Sequence, residues 1–188
     1  MKLLTTAAAA GTLALTLAAC STPGTMGSMS SMSSMKTPDA PAAVTVPAGH
    51  KVAMMSTGMG DLTYECRVKA GTTNAWEWVF TGPDAVLYDM NKKMVGKYYG
   101  GPTWEAADGS KIGGKQLAVA PSPNAGSIPL QLVQTTPAMG NGAMTGVSYI
   151  QRLNTMGGIA PTDACGASSV GTKKTVKYQA DYVFYKPA

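Results

Sequence analysis

The sequence predicts an all-β fold, a single antiparallel β-sandwich or barrel-like domain of about nine or ten short strands. Three observations predict it. Apolar residues recur with period two along most of the chain from Val44 onward. Gly, Pro and Asn interrupt them at intervals of roughly 8 to 15 residues, and no stretch of helical length sustains an apolar stripe. The roughly 145 residues from Val44 to Ala188 suit one domain.

Residues 1–20 have the pattern of an export signal: Lys2, then an apolar run from Leu3 to Leu17, then Leu17-Ala18-Ala19-Cys20. The run is shorter than the ~20 residues that a membrane-spanning helix needs. Its last four residues resemble the lipobox of bacterial lipoproteins, which implies a diacylglyceryl group on the Cys20 thiol and a mature chain starting there. Ser21 rather than Asp follows, and the same resemblance then favours the outer membrane over retention at the inner one. Residues 21–43 are rich in Ser, Met, Pro and Gly and cannot bury enough apolar surface to offset chain entropy, so a disordered tether is expected. Met26, Met29, Met32 and Met35 recur there every third residue. Thioethers suit Cu(I), but four flexible ones without an imidazole make a poor preformed site, and low-complexity drift is the preferred reading.

Within the domain, His50 to Ser56 reads as a first strand, with Gly58-Met59-Gly60-Asp61 as its turn. Leu62, Tyr64, Cys66 and Val68 then alternate with Thr63, Glu65 and Arg67, as in a half-buried strand. Beyond a turn at 71–74, Trp76, Trp78 and Phe80 share a face and are expected in the core. Val86–Asp89 and Met94–Tyr99 flank a basic turn at 90–93, as a hairpin would. From Tyr98 to Lys111 an irregular loop is expected, because Gly100, Gly101 and Pro102 fit neither a central strand nor a helix; Trp104 and Glu105 would lie in it. Strands at Gln116–Ala120, Ile128–Thr135 and Gly146–Asn154 follow. Val176, Tyr178, Ala180, Tyr182 and Phe184 make one face of the last.

Cys66 and Cys165 remain once Cys20 is lipidated. In an oxidising compartment such a pair reads as a disulfide rather than as free or metal-bound thiols. It would close a loop of about 100 residues, worth up to roughly 4–5 kcal/mol on chain-entropy grounds. With His50 they are too few for a closed zinc site.

Gly101-Pro-Thr-Trp-Glu105, Asp108-Gly-Ser-Lys111, Ala120-Pro-Ser-Pro-Asn-Ala-Gly126, Ile128-Pro129 and Tyr149-Ile-Gln-Arg-Leu-Asn-Thr155, with Gly157-Gly158 and Cys165, carry a further resemblance. In order and spacing they resemble a family of secreted bacterial and fungal proteins with a domain of unknown function, from about Val46 to Tyr185. The resemblance implies an exported β-rich domain and transfers no catalytic residue. It points to residues 101–111 and 149–158 as the segments the domain exists to present.

No cofactor motif is evident. A Ser-His-Asp hydrolase needs a positioned histidine, and His50 stands alone at the start of the first strand, without a Gly-x-Ser-x-Gly elbow. Glu105 and Asp108 could act as a glycosidase pair, but a turn at Asp108-Gly109 and an ion pair at Glu105 is the simpler reading. No Gly-Gly pair opens a helix, which argues against phosphate cradles. The formal charge of +5, concentrated only at Lys92-Lys93 and Lys173-Lys174, is too mild for nucleic acid and suits an anionic envelope surface. What remains is aromatic. Trp104, Tyr98, Tyr99 and Tyr149 could form a stacking platform, with Glu105, Asp108, Arg152 and Asn154 as polar contacts and Glu105 as partner of Arg152. The expected function is a lipid-anchored, non-catalytic module that binds a glycan, a lipid or another envelope ligand. The alternatives are a structural or protein-interaction lipoprotein and, last, a hydrolase.

Overall fold

The computed structural model describes residues 35–188, and they form one ring of eight antiparallel strands. In chain order these are β1 (His50–Val68), β2 (Trp76–Tyr88), β3 (Met94–Tyr99), β4 (Thr103–Ala106), β5 (Lys111–Ala120), β6 (Leu130–Thr135), β7 (Tyr149–Gly157) and β8 (Lys173–Pro187). Each pairs with the next, and β8 returns to β1 through a ladder running from His50–Pro187 to Glu65–Lys173. The ring leaves no sheet edge unpaired. Between the two architectures left open by the sequence, the barrel is the one formed.

The strands number eight rather than nine or ten, because two expected breaks are not breaks while the segment expected as a loop contributes a strand of its own, β4. β1 passes straight through 58–61. Gly58 and Gly60 face inward there, and a Cβ on Gly58 would sit 2.6 Å from Cε2 of Tyr182, while one on Gly60 would meet the Asp84 carbonyl. They are glycines for close packing rather than for turning. β2 likewise runs through Gly82 and Pro83: Thr63 pairs with Gly82 and Tyr64 with Phe80, so Thr81 is an extra residue in a bulge. The segment 98–111 is also more regular than expected. Gly100-Gly101-Pro102 is a tight turn, and Trp104 and Glu105 lie in β4, one inward and one outward.

Side chains separate into two buried clusters. The inner one fills the barrel and includes Leu62, Tyr64, Tyr98, Trp104, Ile150, Tyr182 and Phe184. The second lies on the outer wall, where Leu130, Leu132, Leu153, Val183 and Tyr185 are covered by Val44, itself fully buried. A bulge at Ala53 switches β1 between them, since Val52 packs outside and Met54 inside. The Gln151 amide holds the covering segment: it donates to the Val44 carbonyl at 2.6 Å and accepts from the Tyr185 hydroxyl at 2.6 Å. Ala40 and Val46 pack on the same cluster, so the boundary expected at residue 43 falls inside this cover. Cys20 and the methionines at 26, 29 and 32 lie outside the described residues; Met35 is exposed.

Cys66 and Cys165 are bonded, with Cα atoms 5.5 Å apart. The bond fixes the connection between β7 and β8 to the end of β1. Tyr64 donates to the Gly158 carbonyl and Trp78 to the Asp163 carbonyl, adding two further ties to that connection. Phe80, expected in the core beside Trp78, instead stands about half exposed, because it follows the inward row to the rim of the barrel.

Candidate functional site

Antiparallel order brings the β1–β2 and β3–β4 turns, the β5–β6 loop and the β7–β8 connection to one end of the barrel. The other end is closed. There the 136–148 loop inserts Met144, fully buried, into the inner cluster. Asp108 latches that loop: its carboxylate accepts from the Ser110 hydroxyl (2.6 Å), the Ser110 N–H (2.9 Å) and the Ala143 N–H (2.7 Å), and the Ser110 hydroxyl oxygen accepts from the Met144 N–H.

The first end opens into a cavity of 420 Å³ whose wall includes Tyr64, Phe80, Tyr98, Trp104, Gln116, Gln131 and Arg152. Alternation explains each position. Trp104 is inward because Thr103 and Glu105 on either side face out; Gln131 and Arg152 are cross-strand partners on the inner face, and Gln116 pairs with inward Val133. Trp104 stacks on Tyr98 with centroids 4.6 Å apart, and Tyr182 meets both rings from below at 5.2 and 5.9 Å. The Gln131 amide donates to the Gln116 carbonyl oxygen at 2.6 Å. Arg152 turns its guanidinium to the Pro129 carbonyl, donating from Nε and Nη2 at 3.2 and 3.0 Å.

Burial pushes the hydroxyl pKa of Tyr64, Tyr98, Tyr178 and Tyr182 upward, and the Arg152 charge partly offsets this in all four. The phenols are therefore neutral near pH 7, and among the residues lining the cavity the charge is that of the Arg152 guanidinium. Trp104 is 1% exposed, yet its indole N–H has no partner; with the Ser56 hydroxyl it is one of two such buried groups among the described residues.

A family of proteins of unknown function, DUF3455, matches residues 47–186. The chain belongs to that family. No curated protein and no solved structure matches it.

The DUF3455 barrel joins only part of the expected site. Trp104 and Arg152 come together, but Trp104 is a buried wall rather than an exposed platform. Glu105 points outward and does not reach Arg152; its carboxylate accepts from the Tyr99 hydroxyl at 2.7 Å and pairs with Lys111 at 3.2 Å. Tyr149 is on the outer wall, edge-on to His50 at 4.8 Å. Asn154 is outside as well, at φ +48°, donating to Asp181 at 2.8 Å. The expected platform is thus divided among three places, because neighbours in a strand face opposite sides.

Nor do Glu105 and Asp108 make an acid–base pair. The Tyr99 hydrogen bond, and then Lys111, hold Glu105 below its ordinary carboxylate range; the Ser110 hydroxyl and then the Ala143 N–H do the same for Asp108. A general acid needs the opposite shift. Among the described residues no three of His, Cys, Asp and Glu are grouped as metal ligands. Gln116, Gln131, Tyr64 and Phe80 are wall residues that were not singled out from the sequence. Their shared inward phase with Val133, Leu62 and Trp78 was the available signal.

Proposed function

We propose that the protein is a lipid-anchored envelope protein whose barrel is a non-catalytic binding module, taking one small envelope or extracellular ligand into its open mouth. The observation that carries this reading is the cavity of 420 Å³ lined by the stacked Tyr98 and Trp104 and by Arg152. That volume lies within the usual range for small-molecule sites, about 300–1,000 Å³. Barrels of about eight strands have interiors sized for packed side chains or one small ligand. The lipobox at Leu17–Cys20 supports anchoring, and the Cys66–Cys165 bond supports an oxidising compartment.

Thermal-shift screening of the full chain against glycans, lipids and aromatic metabolites tests the binding role, with Gln131→Trp as the variant that fills the mouth. Stabilisation by some compound, lost in that variant, is expected; no stabilisation by any compound would overturn it. Mass spectrometry of the membrane fraction should find a diacylglyceryl adduct on an N-terminal Cys20, and an unmodified cysteine there would remove the anchor.

A second reading is favoured by the exposed rim side chains Phe80, Leu117 and Val119. In it the rim docks a protein partner, and the cavity is incidental.

A further inference from the structure

We infer that the ligand of this cavity is an organic anion, a flat apolar body carrying one carboxylate-like or sulfonate-like group, with Arg152 as its anchor. This rests on the binding-module reading and names the class of molecule for the same site.

The argument is an excess of donors. A guanidinium carries five N–H groups, a positive charge and no acceptor. Two of its nitrogens share the single Pro129 carbonyl, and Nη1 has no partner among the described residues. None of the five ion pairs in the described residues involves Arg152. The nearest candidate expected from sequence, Glu105, is on the outside and already paired. No Asp or Glu lines the cavity at all. A second donor, the Trp104 indole N–H, is buried in the same wall with nothing to bond. A buried donor left without a partner in a native fold, as this indole N–H is, calls for an explanation.

A cationic ligand would meet the guanidinium as a like charge. A neutral sugar brings donors and acceptors in similar numbers and would leave the charge without a counter-ion. An anion supplies acceptors alone, and its charge is the one the site lacks. The remainder of the wall, Leu62, Phe80, Pro102, Tyr98 and the Trp104 ring, offers apolar and aromatic surface to the body that carries the anion.

The test uses two fluorescent probes with the same ring system, 1-anilinonaphthalene-8-sulfonate and its uncharged parent N-phenyl-1-naphthylamine, titrated into the full chain. The sulfonate is expected to bind about tenfold or more tightly than the parent, the scale of a charge-assisted hydrogen bond. Arg152→Gln should erase that preference while leaving the neutral probe within about twofold of its wild-type affinity, and Arg152→Lys should retain part of it. Arg67→Gln, on the barrel exterior, should change nothing. Near-UV circular dichroism establishes that each variant is folded. In the wild type alone, raising salt from about 50 to about 500 mM should weaken the sulfonate and spare the parent. Equal affinities, or a preference that survives Arg152→Gln, would overturn the anion while leaving the cavity a binding site. If neither probe binds, the organic-anion inference is overturned, and the binding-module reading falls too only when the thermal-shift screen also finds no ligand.

Discussion

Tyr98 and Trp104 are opposite one another across the β3–β4 hairpin, and their rings stack at 4.6 Å with planes 18° apart inside the barrel. The hairpin turn is only Gly100-Gly101-Pro102, so the pair is set by local chain geometry. Tyr182, from the opposite side of the chain's connectivity, packs against both. The wall of the cavity is therefore also the centre of the core. Substitutions there act on stability and on ligand together, which is why Arg152, at the rim, is the better probe of binding.

Trp104 separates the two effects by its own chemistry. Trp104→Ala removes a side chain with 1% exposure and should cost about 3–5 kcal/mol, the usual loss for a large aromatic in a core. Trp104→Phe keeps most of the ring and removes a donor that has no partner in the protein. Losing an unpaired buried donor relieves a desolvation penalty, so this variant should stay within about 1.5 kcal/mol of wild type. Urea midpoints measure both. A Phe variant as unstable as the Ala variant would mean that the indole N–H is bonded after all.

Much of the fold was legible from alternation. Leu62-Tyr64-Cys66 and Val176-Tyr178-Ala180-Tyr182-Phe184 each line up on the inner face, because a half-buried strand must repeat every second residue. What alternation could not settle was whether an interruption is a turn or a tight packing point. Gly58 and Gly60 look like punctuation in sequence; only the ring of Tyr182 and the Asp84 carbonyl, far away along the chain, show them to be contacts. The site was half legible for the same reason. Trp104 and Glu105 are adjacent and were expected to act together, yet adjacency in a strand puts them on opposite sides of the wall. Arg152 shares the inner face with Ile150 and lines the cavity, whereas Glu105 is on the outward face of β4 and paired with Lys111, so the pairing that the sequence suggests does not form.

Those glycines give a paired prediction. Gly58→Ala places a methyl 2.6 Å from the Tyr182 ring, with Leu87 also close at 3.3 Å, and should destabilise by about 1–3 kcal/mol through overpacking. Gly100→Ala meets nothing within 4 Å and needs no positive φ. Restricting the unfolded chain should then leave it neutral or more stable by about 0.4–1 kcal/mol. If thermal midpoints ranked the two in the opposite order, β1 would be a broken strand at 58–61, as the bare sequence suggests.

The disulfide joins positions 99 residues apart, so its loss enlarges the unfolded ensemble substantially. Reduction, or the Cys66→Ser/Cys165→Ser pair, should cost about 2–5 kcal/mol. The folded barrel should survive, because Cys66 still has backbone hydrogen bonds to Thr172 and Gly171. Hydrogen exchange would then show faster opening in 159–170, with the β1–β8 ladder protected. Collapse of that ladder under reducing conditions would show the bond to be a condition of folding rather than a brace on the mouth.

The latch at the closed end should make the protein acid-sensitive in a way that one substitution removes. Asp108 is held below its ordinary value of 3.8, first by the Ser110 hydroxyl and then by the Ala143 N–H. A carboxylate depressed in the folded state binds protons more readily when unfolded, so its contribution is fully present above the unfolded value. It is lost as pH falls from about 4 through the lower folded value. Asp108→Asn should therefore lower the urea midpoint at neutral pH and flatten the decline below about pH 4. Glu105→Gln should flatten it too, since Tyr99 and then Lys111 depress that carboxylate from 4.5. Of the two, the Asp108 variant alone should loosen the floor, because Asp108 accepts from the Ala143 N–H whereas Glu105 accepts nothing from the 136–148 loop. Exchange of the Ala143 and Met144 amides measures that directly. Amides equally protected in both variants would show that the end of the barrel is sealed without the Asp108 contact.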